Sequence, residues 1–318
     1  MTHTSAVQGR KLSRTGLFGP FVLAALLFAG WSGAWVWLKG EAERRIDRAA
    51  ALARSHGGQI AWSGRRIGGY PFRLDADFTD LRVADASGWT VSAPALEAEA
   101  LAFMPTRWVA VATRGASFAW PTGGPINISA SVLRASIDGL GEAPPRISVE
   151  GLGLTFTPAP GAKPFFLTSA QSLQFDTRAG PDEQGAVYLS LDRAAPRPDA
   201  MVGRIADGRP LDLQGDLTFS HAQALKGADW RSAVRNWSRA GGVFTVREIT
   251  AQVGGTVLDA KAGALGIGED GRLVGSLVGE LREASRQPAG HGPRVTLAFR
   301  DGKMMLGGVE LGPAPRLF

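Results

Sequence analysis

The four histidines are the first residues to consider for catalysis or metal binding, and they lie far apart in the chain, at His3, His56, His221 and His291. No two of them stand at helical or strand spacing, so the sequence does not indicate a histidine metal site or a proton relay. The chain contains no Cys, which excludes disulfides, thiolate zinc sites, iron–sulfur clusters and cysteine nucleophiles.

Carboxylates and glycines offer two further candidates for chemistry. Asp75 and Asp77 could form an acid–base or metal-binding pair, but they alternate with apolar residues, which is typical of the solvent-facing side of a sheet. Residues 266–271 match the G-x-G-x-x-G dinucleotide-binding pattern. The residues after them alternate like a strand, whereas that pattern requires a helix there, so we predict a hairpin turn.

Other catalytic signatures are missing from the sequence: it has no nucleophile elbow, no phosphate-binding loop and no paired-histidine zinc motif. We therefore predict no catalytic residues, no cofactor and no metal site. We expect that the protein is not an enzyme. A hydrolytic Ser/Asp site without a sequence motif is the least favoured alternative.

The formal net charge of +6 at pH 7 raises the question of a nucleic-acid partner. Arg10, Lys11 and Arg14 supply three positive charges ahead of the longest apolar segment. Arginines such as Arg82, Arg134, Arg178, Arg247 and Arg272 are spread along the chain rather than clustered with aromatic residues, so we expect no nucleic-acid binding.

That apolar segment, residues 17–38, contains no charged residue. At about 1.5 Å per residue it reaches roughly 33 Å as a helix, enough to cross the hydrocarbon core of a bilayer. It predicts a transmembrane helix after a short basic tail, residues 1–16. Trp31, Trp35 and Trp37 lie near its end, where indole rings favour the lipid headgroup layer, so we predict a membrane-interface belt.

Two alternatives bear on this anchor. Ser32, Gly33 and Ala34 resemble a signal-peptide cleavage site, but the apolar segment continues beyond them, which favours an uncleaved anchor. Basic residues follow the segment as well as precede it, so loop charge does not settle the orientation. Long domains translocate largely regardless of nearby charge, and we favour export of residues 57–318 over a cytoplasmic domain on a reversed anchor.

The rest of the chain has two patterns. Residues 39–56 are rich in Ala, Glu and Arg without Pro, which predicts a juxtamembrane helix that Gly57 and Gly58 end. From residue 59 onward, apolar residues alternate with period two and turn residues recur, which predicts antiparallel strands. About thirteen strands are predicted, at 72–84, 96–103, 108–113, 126–137, 147–156, 165–175, 187–191, 211–219, 243–253, 256–265, 272–281, 295–299 and 303–309.

The predicted fold class is mainly β: a transmembrane helix followed by a large curved antiparallel sheet or sandwich with one packed helix. That helix begins near His221 or, after Gly227, at the N-cap candidate Asp229. It carries Trp230, Val234 and Trp237 at i, i+4 and i+7, a stripe that predicts packing on the sheet. A weak internal duplication, with halves at about 57–220 and 221–318, is a further hypothesis.

A short motif resembles a known family: Gly69, Tyr70, Pro71, Phe72 and Arg73 follow one another directly. Together with other matches this resembles the membrane-anchored alphaproteobacterial family called domain of unknown function 2125. The other matches are Trp62, 88–89, 93–96, Trp237, 265–266, 270–273, 301–302 and 311–317. The resemblance implies a cell-envelope protein and no catalytic residues. With the anchor and the export predicted above, we expect a single-pass protein of the bacterial inner membrane with its large C-terminal domain in the periplasm.

The layout of an anchor and a long sheet is more distantly similar to AsmA-like envelope proteins, for which lipid movement between membranes is proposed. We therefore expect a non-catalytic protein that binds or passes a phospholipid or another amphiphile along an apolar groove. The alternative is a scaffold for envelope protein partners. In the motif, glycine permits a tight turn, Pro71 fixes φ, and Phe72 is predicted to begin the inward-facing side of a strand. Tyr70 and Arg73 could instead contact a lipid headgroup.

Overall fold

A computed structural model of the chain describes residues 15–121, 123–140, 142–283 and 292–318. Three α-helices occur in these ranges, α1 (Thr15–Ser55), α2 (Met201–Ala206) and α3 (Trp230–Arg239), with a short 3₁₀ helix at Ala222–Ala224. The described strands are β1 (Gln59–Ala61), β2 (Gly64–Gly68), β3 (Arg73–Ala84), β4 (Thr90–Leu101), β5 (Met104–Val111), β6 (Ala116–Trp120), β7 (Gly124–Ser129), β8 (Val132–Asp138), β9 (Arg146–Pro158), β10 (Leu167–Ala179), β11 (Gly185–Pro196), β12 (Leu211–Phe219), β13 (Phe244–Val253), β14 (Thr256–Ile267), β15 (Leu273–Glu283), β16 (Arg294–Arg300), β17 (Lys303–Leu306) and β18 (Val309–Pro313).

Helix α1 joins the predicted transmembrane and juxtamembrane helices into one continuous element. It is long and apolar enough to cross a membrane, and its first half exposes large apolar side chains such as Phe21, Leu26 and Leu27. It ends at Ser55, and Gly57 follows with φ 78°. The predicted basic tail, residues 1–16, lies almost entirely outside the described residues.

The second half of α1 is tied to the sheet and carries its own charge network. Arg65 on β2 donates to Asp47 at 2.7 Å, and this hydrogen bond lowers the pKa of Asp47. Hydrogen bonds from Arg45 and Arg44 lower the pKa of Glu41 from 4.5 to about 2. The arginines that follow the apolar segment are thus partly neutralised by their own helix.

All strand pairs are antiparallel and belong to one continuous sheet, as the fold-class prediction allowed. Strands β1 and β2 both pair with β3, and β3 pairs with β4. Two paths then lead to β9, one through β5 and β8 and the other through β6 and β7. From β9 to β18 each strand pairs with the next.

Some predicted strands are divided in the structure. The predicted strand 126–137 is β7 and β8, which turn at Ala130 and Ser131 without Gly or Pro, so the sequence carries no turn signal there. The predicted strand 303–309 covers β17, a turn at Gly307 and Gly308, and the start of β18. Strands β1, β2 and β6 were not predicted, because three to five residues are too few to establish a period of two.

The predicted hairpin turn at 266–271 is confirmed: Gly268 N–H to Arg272 and Gly271 N–H to Gly268 hydrogen bonds close it between β14 and β15. Helix α2 was not predicted. Its residues follow a Pro-containing segment, and Asp207 is the left-handed C-cap of this helix, with φ 51°.

Helix α3 begins after Asp229, the second of the two predicted starts, with a reciprocal cap between Asp229 and Ser232. Val234 and Trp237 are each 1% exposed and pack with Phe219 on the sheet. Trp230 is 37% exposed, so its predicted place in the packed stripe is wrong. It lies at the edge of the helix, where its indole Nε1 donates to the Leu317 carbonyl at 2.8 Å.

Candidate functional site

The motif at residues 69–73 forms the tight turn between β2 and β3. Gly69 has φ 97°, and a Cβ there would lie 2.8 Å from the Arg73 carbonyl oxygen. The Arg73 N–H donates to the Gly69 carbonyl at 2.9 Å and closes the turn. Residue 69 must therefore be glycine, because its φ is positive and because there is no room for a side chain.

This turn docks against α1 through two tryptophans. The indole Nε1 of Trp31 donates to the Pro71 carbonyl at 2.9 Å, and that of Trp35 donates to the Arg73 carbonyl at 2.8 Å. Tyr70 completes the contact: its hydroxyl lies 2.8 Å from Ser32 Oγ, and its ring meets that of Trp35 edge-on at 5.4 Å. The family motif thus holds the sheet against the apolar helix.

The three tryptophans of the predicted belt have different surroundings. Trp35 is 8% exposed and packs with Leu74 and Ala102, while Trp31 is partly buried beside them. Trp37 points away from the sheet and is exposed. Their contact with the headgroup layer stays a prediction, and for Trp31 and Trp35 it would coexist with these protein contacts.

The predicted inward position of Phe72 is wrong, because this side chain is 64% exposed. Strand β3 begins one residue later, and the inward-facing positions are Leu74 and Ala76, each 1% exposed. Phe72 instead lies at a hairpin tip, where its carbonyl accepts the Ala102 N–H at 2.9 Å.

Next to this tip lies a cavity of about 300 Å³ whose lining combines charged and apolar side chains. Arg73 and Arg107 contribute guanidinium groups, and Leu101 and Met104 contribute apolar surface. Arg73 also donates to Glu99 at 3.2 Å. Because Glu99 also lines the cavity, the lining presents charges of both signs beside apolar surface. Sequence reasoning did not single out Arg107, Leu101 or Met104.

One face of the sheet carries a continuous apolar surface. The strand register shows which residues form it. Directly paired residues on antiparallel strands point to the same side. A single line of such pairs crosses thirteen strands without a charged or polar side chain. The line runs through Ile67, Ala76, Ala98, Ala110, Ala135, Val149, Phe175, Leu189, Gly215, Ile249, Ala260, Gly279 and Val295.

Two further lines flank it on the same face, and we call all three the apolar band. One flanking line is Leu133, Gly151, Leu173, Leu191, Leu213, Ala251, Leu258 and Leu281. The other is Trp108, Ile137, Ile147, Thr177, Val187, Leu217 and Val246. Thr177 is the one polar member of these lines, and its hydroxyl donates to the Pro145 carbonyl at 2.9 Å.

The opposite face is polar along the same strands. Asp176, Tyr188 and Asp216 pair in one line, and Arg134 pairs with Glu150 in the next. The sheet therefore separates apolar from charged side chains over most of its width, as the period of two in the sequence predicts.

Two helices cover parts of the apolar band. Val202 of α2 packs against one end of the central strands, and Val234 and Trp237 of α3 pack near the other end with Val187. Between them, Phe175 and Leu189 are half-buried. An apolar strip is thus left partly open between the two helices.

The sheet curls toward this apolar face. Helix α3 packs on the apolar side of β12, yet its first residue contacts the turn after β3. In a flat sheet, the six strand spacings from β4 to β12 would separate these elements by roughly 29 Å. The band therefore lines a concave surface.

A second group of charged residues lies on the polar face near the motif. Asp75 pairs with Glu99 and Asp77 with Glu97 across β3 and β4, and Arg66 donates to Asp77 at 2.7 Å. These aspartates are half-buried and ion-paired rather than freely solvated. In the part of the chain that the structure describes, no group of His, Cys, Asp or Glu has the arrangement of a metal site.

Residues 35–286 match the family described as "Uncharacterized protein conserved in bacteria (DUF2125)". The chain belongs to this family. The DUF2125 match begins at Trp35, whose indole binds the motif, and it includes the central strands of the apolar band. The family prediction is confirmed, while the similarity to AsmA-like proteins stays a prediction. No curated protein and no solved structure matches the chain.

Proposed function

We propose that this DUF2125 protein is a non-catalytic, membrane-anchored protein that binds an amphiphile, with the acyl chain on the apolar band. The apolar band is the observation that carries the proposal. Its central line crosses thirteen strands without a polar side chain. Such a surface is unusual where side chains of the protein do not cover it fully.

The dimensions and chemistry of the band suit a lipid chain. Along the central line, small residues such as Ala110 and Ala135 lie on β5 and β8, and large ones such as Phe175 and Leu189 lie on β10 and β11. Gly215 presents no side chain beside Ile249. Burying an acyl chain contributes about 0.8 kcal/mol per methylene, so six methylenes contribute about 5 kcal/mol before association costs. A partly open groove could therefore retain a lipid.

Photo-crosslinking distinguishes the two faces of the sheet. Phe175 on the apolar band and Tyr188 on the polar face are neighbours on adjacent strands. We propose replacing each in turn, in the full-length chain in growing bacteria, with the photoreactive analogue p-benzoylphenylalanine. A phospholipid adduct at residue 175 and none at residue 188 is expected. Equal lipid adducts at the two positions, or none at 175, would overturn the proposal.

The alternative function, a scaffold for another envelope protein, is favoured by one observation. Among the described strands, β18 pairs along one edge with β17 alone, and Val309 on it is exposed. An open edge can accept a strand from a partner. Crosslinking from residue 309 to another protein, with no lipid adduct at residue 175, would favour this function.

The proposal includes a periplasmic location for residues 57–318 in the bacterial inner membrane. It rests on the length of the apolar segment and the family resemblance. Reporter enzymes fused after His56 should be active only if they are periplasmic reporters, and the protein should migrate at the size of the uncleaved chain. Activity of a cytoplasmic reporter there would show that residues 57–318 lie in the cytoplasm.

A further inference from the structure

We infer that three hairpin tips, at the edge of the sheet that docks on α1, rest in the lipid headgroup layer of the bilayer that this helix crosses. We call them the apolar rim, which consists of Phe72, Leu101, Phe103, Met104 and Leu140. These side chains are between 38% and 64% exposed. The inference goes beyond the proposed function, because it holds whether or not an acyl chain binds to the apolar band.

The strand register places the three tips at one edge of the sheet. Phe72 belongs to the β2–β3 turn, and Phe103 belongs to the β4–β5 turn that is hydrogen-bonded to it through Ala102. Trp108 on β5 pairs with Ile137 on β8, so the turn after β8, with Leu140, projects from the same edge.

The docking of α1 on this edge indicates that the edge contacts the bilayer. Trp31 and Trp35 hold the turn that carries Phe72, and Phe28 contacts the ring of Tyr70 at 6.3 Å. Trp31 and Trp35 precede the end of the uncharged segment, Leu38, by seven and three residues. At about 1.5 Å per residue this corresponds to roughly 10 Å and 5 Å along the helix. If the segment crosses the hydrocarbon core, the rim lies at the boundary of acyl chains and headgroups.

Charge supports the same placement. Arg73 and Arg107 line the cavity beside Leu101 and Met104, together with Glu99, which pairs with Arg73. Two arginines against one glutamate leave this lining with an excess of positive charge, and basic side chains next to an apolar rim are typical of contact with phosphate groups. The next hairpin tip along this edge, β10–β11, instead contains Asp182 and Glu183. The apolar rim therefore ends before this acidic tip.

The test measures how deeply single residues enter a bilayer. Because the natural chain has no Cys, a single introduced cysteine can be labelled with an environment-sensitive fluorophore without background. Phe72→Cys, Phe103→Cys and Leu140→Cys are made separately in the full-length chain and reconstituted in phosphatidylcholine vesicles. Gly255→Cys is the matched control, since it lies at an exposed hairpin tip on the opposite edge and a Cβ there meets nothing within 4 Å.

Phosphatidylcholine with a spin label near the headgroup should quench the fluorophore at residues 72, 103 and 140 at least several-fold more than at residue 255. Quenching equal to that at residue 255 at all three positions would overturn the inference. Because three positions are tested separately, one variant that fails to fold does not remove the test. Crosslinking at Phe175 reports on the proposed function separately, so the two ideas fail independently.

Discussion

The main-chain N–H of Trp230 donates a 2.7 Å hydrogen bond to Oδ2 of Asp85, a residue 145 positions earlier in the chain. The other carboxylate oxygen, Oδ1, accepts the N–H and the hydroxyl of Ser87 at 2.9 and 2.7 Å. One side chain thus joins the turn after β3 to the first turn of α3. A carboxylate is also favoured there by the positive end of the helix dipole.

Asp85→Ala should therefore loosen the contact between the two halves of the sheet. Hydrogen bonds to a charged group contribute about 1.5–3 kcal/mol each, and we expect a loss of about 2 kcal/mol in the free energy of unfolding. Hydrogen exchange in the first turn of α3 should become faster. Glu269→Ala, at an exposed turn residue, is the control and should change neither. Unchanged exchange in α3 would show that the contact does not hold the helix.

Trp237→Ala should cost far more stability than Trp230→Ala. Trp237 is 1% exposed, contacts Phe219 and Phe244, and donates to the Ser220 carbonyl at 2.7 Å. Its removal should lower the free energy of unfolding by about 3–5 kcal/mol. Trp230→Ala removes mainly one hydrogen bond, so we expect it to lower the free energy of unfolding by about 1–2 kcal/mol. Denaturant titration of the full-length chain measures both, and equal losses would contradict the assignment of Trp230 to the helix edge.

Gly69→Ala should distort the family motif, whereas Gly68→Ala should be tolerated. Alanine at residue 69 meets both a positive φ and the Arg73 carbonyl, while a Cβ at residue 68 meets nothing within 4 Å. Strained backbone conformations cost about 1–3 kcal/mol. Thermal unfolding should show a lower midpoint for Gly69→Ala only, and the fluorescence of Trp31 and Trp35 should change with it. Similar effects of both substitutions would contradict the turn geometry.

Asp229 should make the stability of α3 depend on pH. Hydrogen bonds from the Ser232 hydroxyl and N–H lower the pKa of Asp229 below its ordinary value of 3.8. Its stabilisation is therefore complete above that value and is lost as the pH falls through the lower pKa of the folded state. Asp229→Asn keeps a good N-cap without titration, so it should match the natural chain at neutral pH and lack this part of the acid dependence.

Asp229→Ala is the complementary variant and should lose about 1 kcal/mol at neutral pH through loss of the cap. Denaturant titrations at neutral pH and at about pH 3 provide the comparison, because the first lies above the ordinary pKa of an aspartate and the second lies below it. An Asn variant whose acid dependence equals that of the natural chain would contradict the role assigned to Asp229.

Several parts of the site could be predicted from sequence and others could not. The docking of Trp31 and Trp35 on the motif was not predicted, because an indole N–H gives no sequence signal of the carbonyl that it will bind. The exposed position of Phe72 was missed because alternation alone does not show where a strand begins. Phe103, Leu140 and Arg107 were missed because a single residue at a turn has no periodicity.

The sequence by itself determined the apolar helix, the mainly β character and the separation of apolar from polar side chains. These properties depend on hydrophobicity and period within short segments, which act before distant residues meet. Only the tertiary structure decided which alternating residues form one line across thirteen strands. Register depends on hydrogen-bond partners in other strands, and a shift by one residue would reverse every side chain. The Asp85–Trp230 contact likewise arises only when the whole sheet has curled, because twist accumulates over all of its strands.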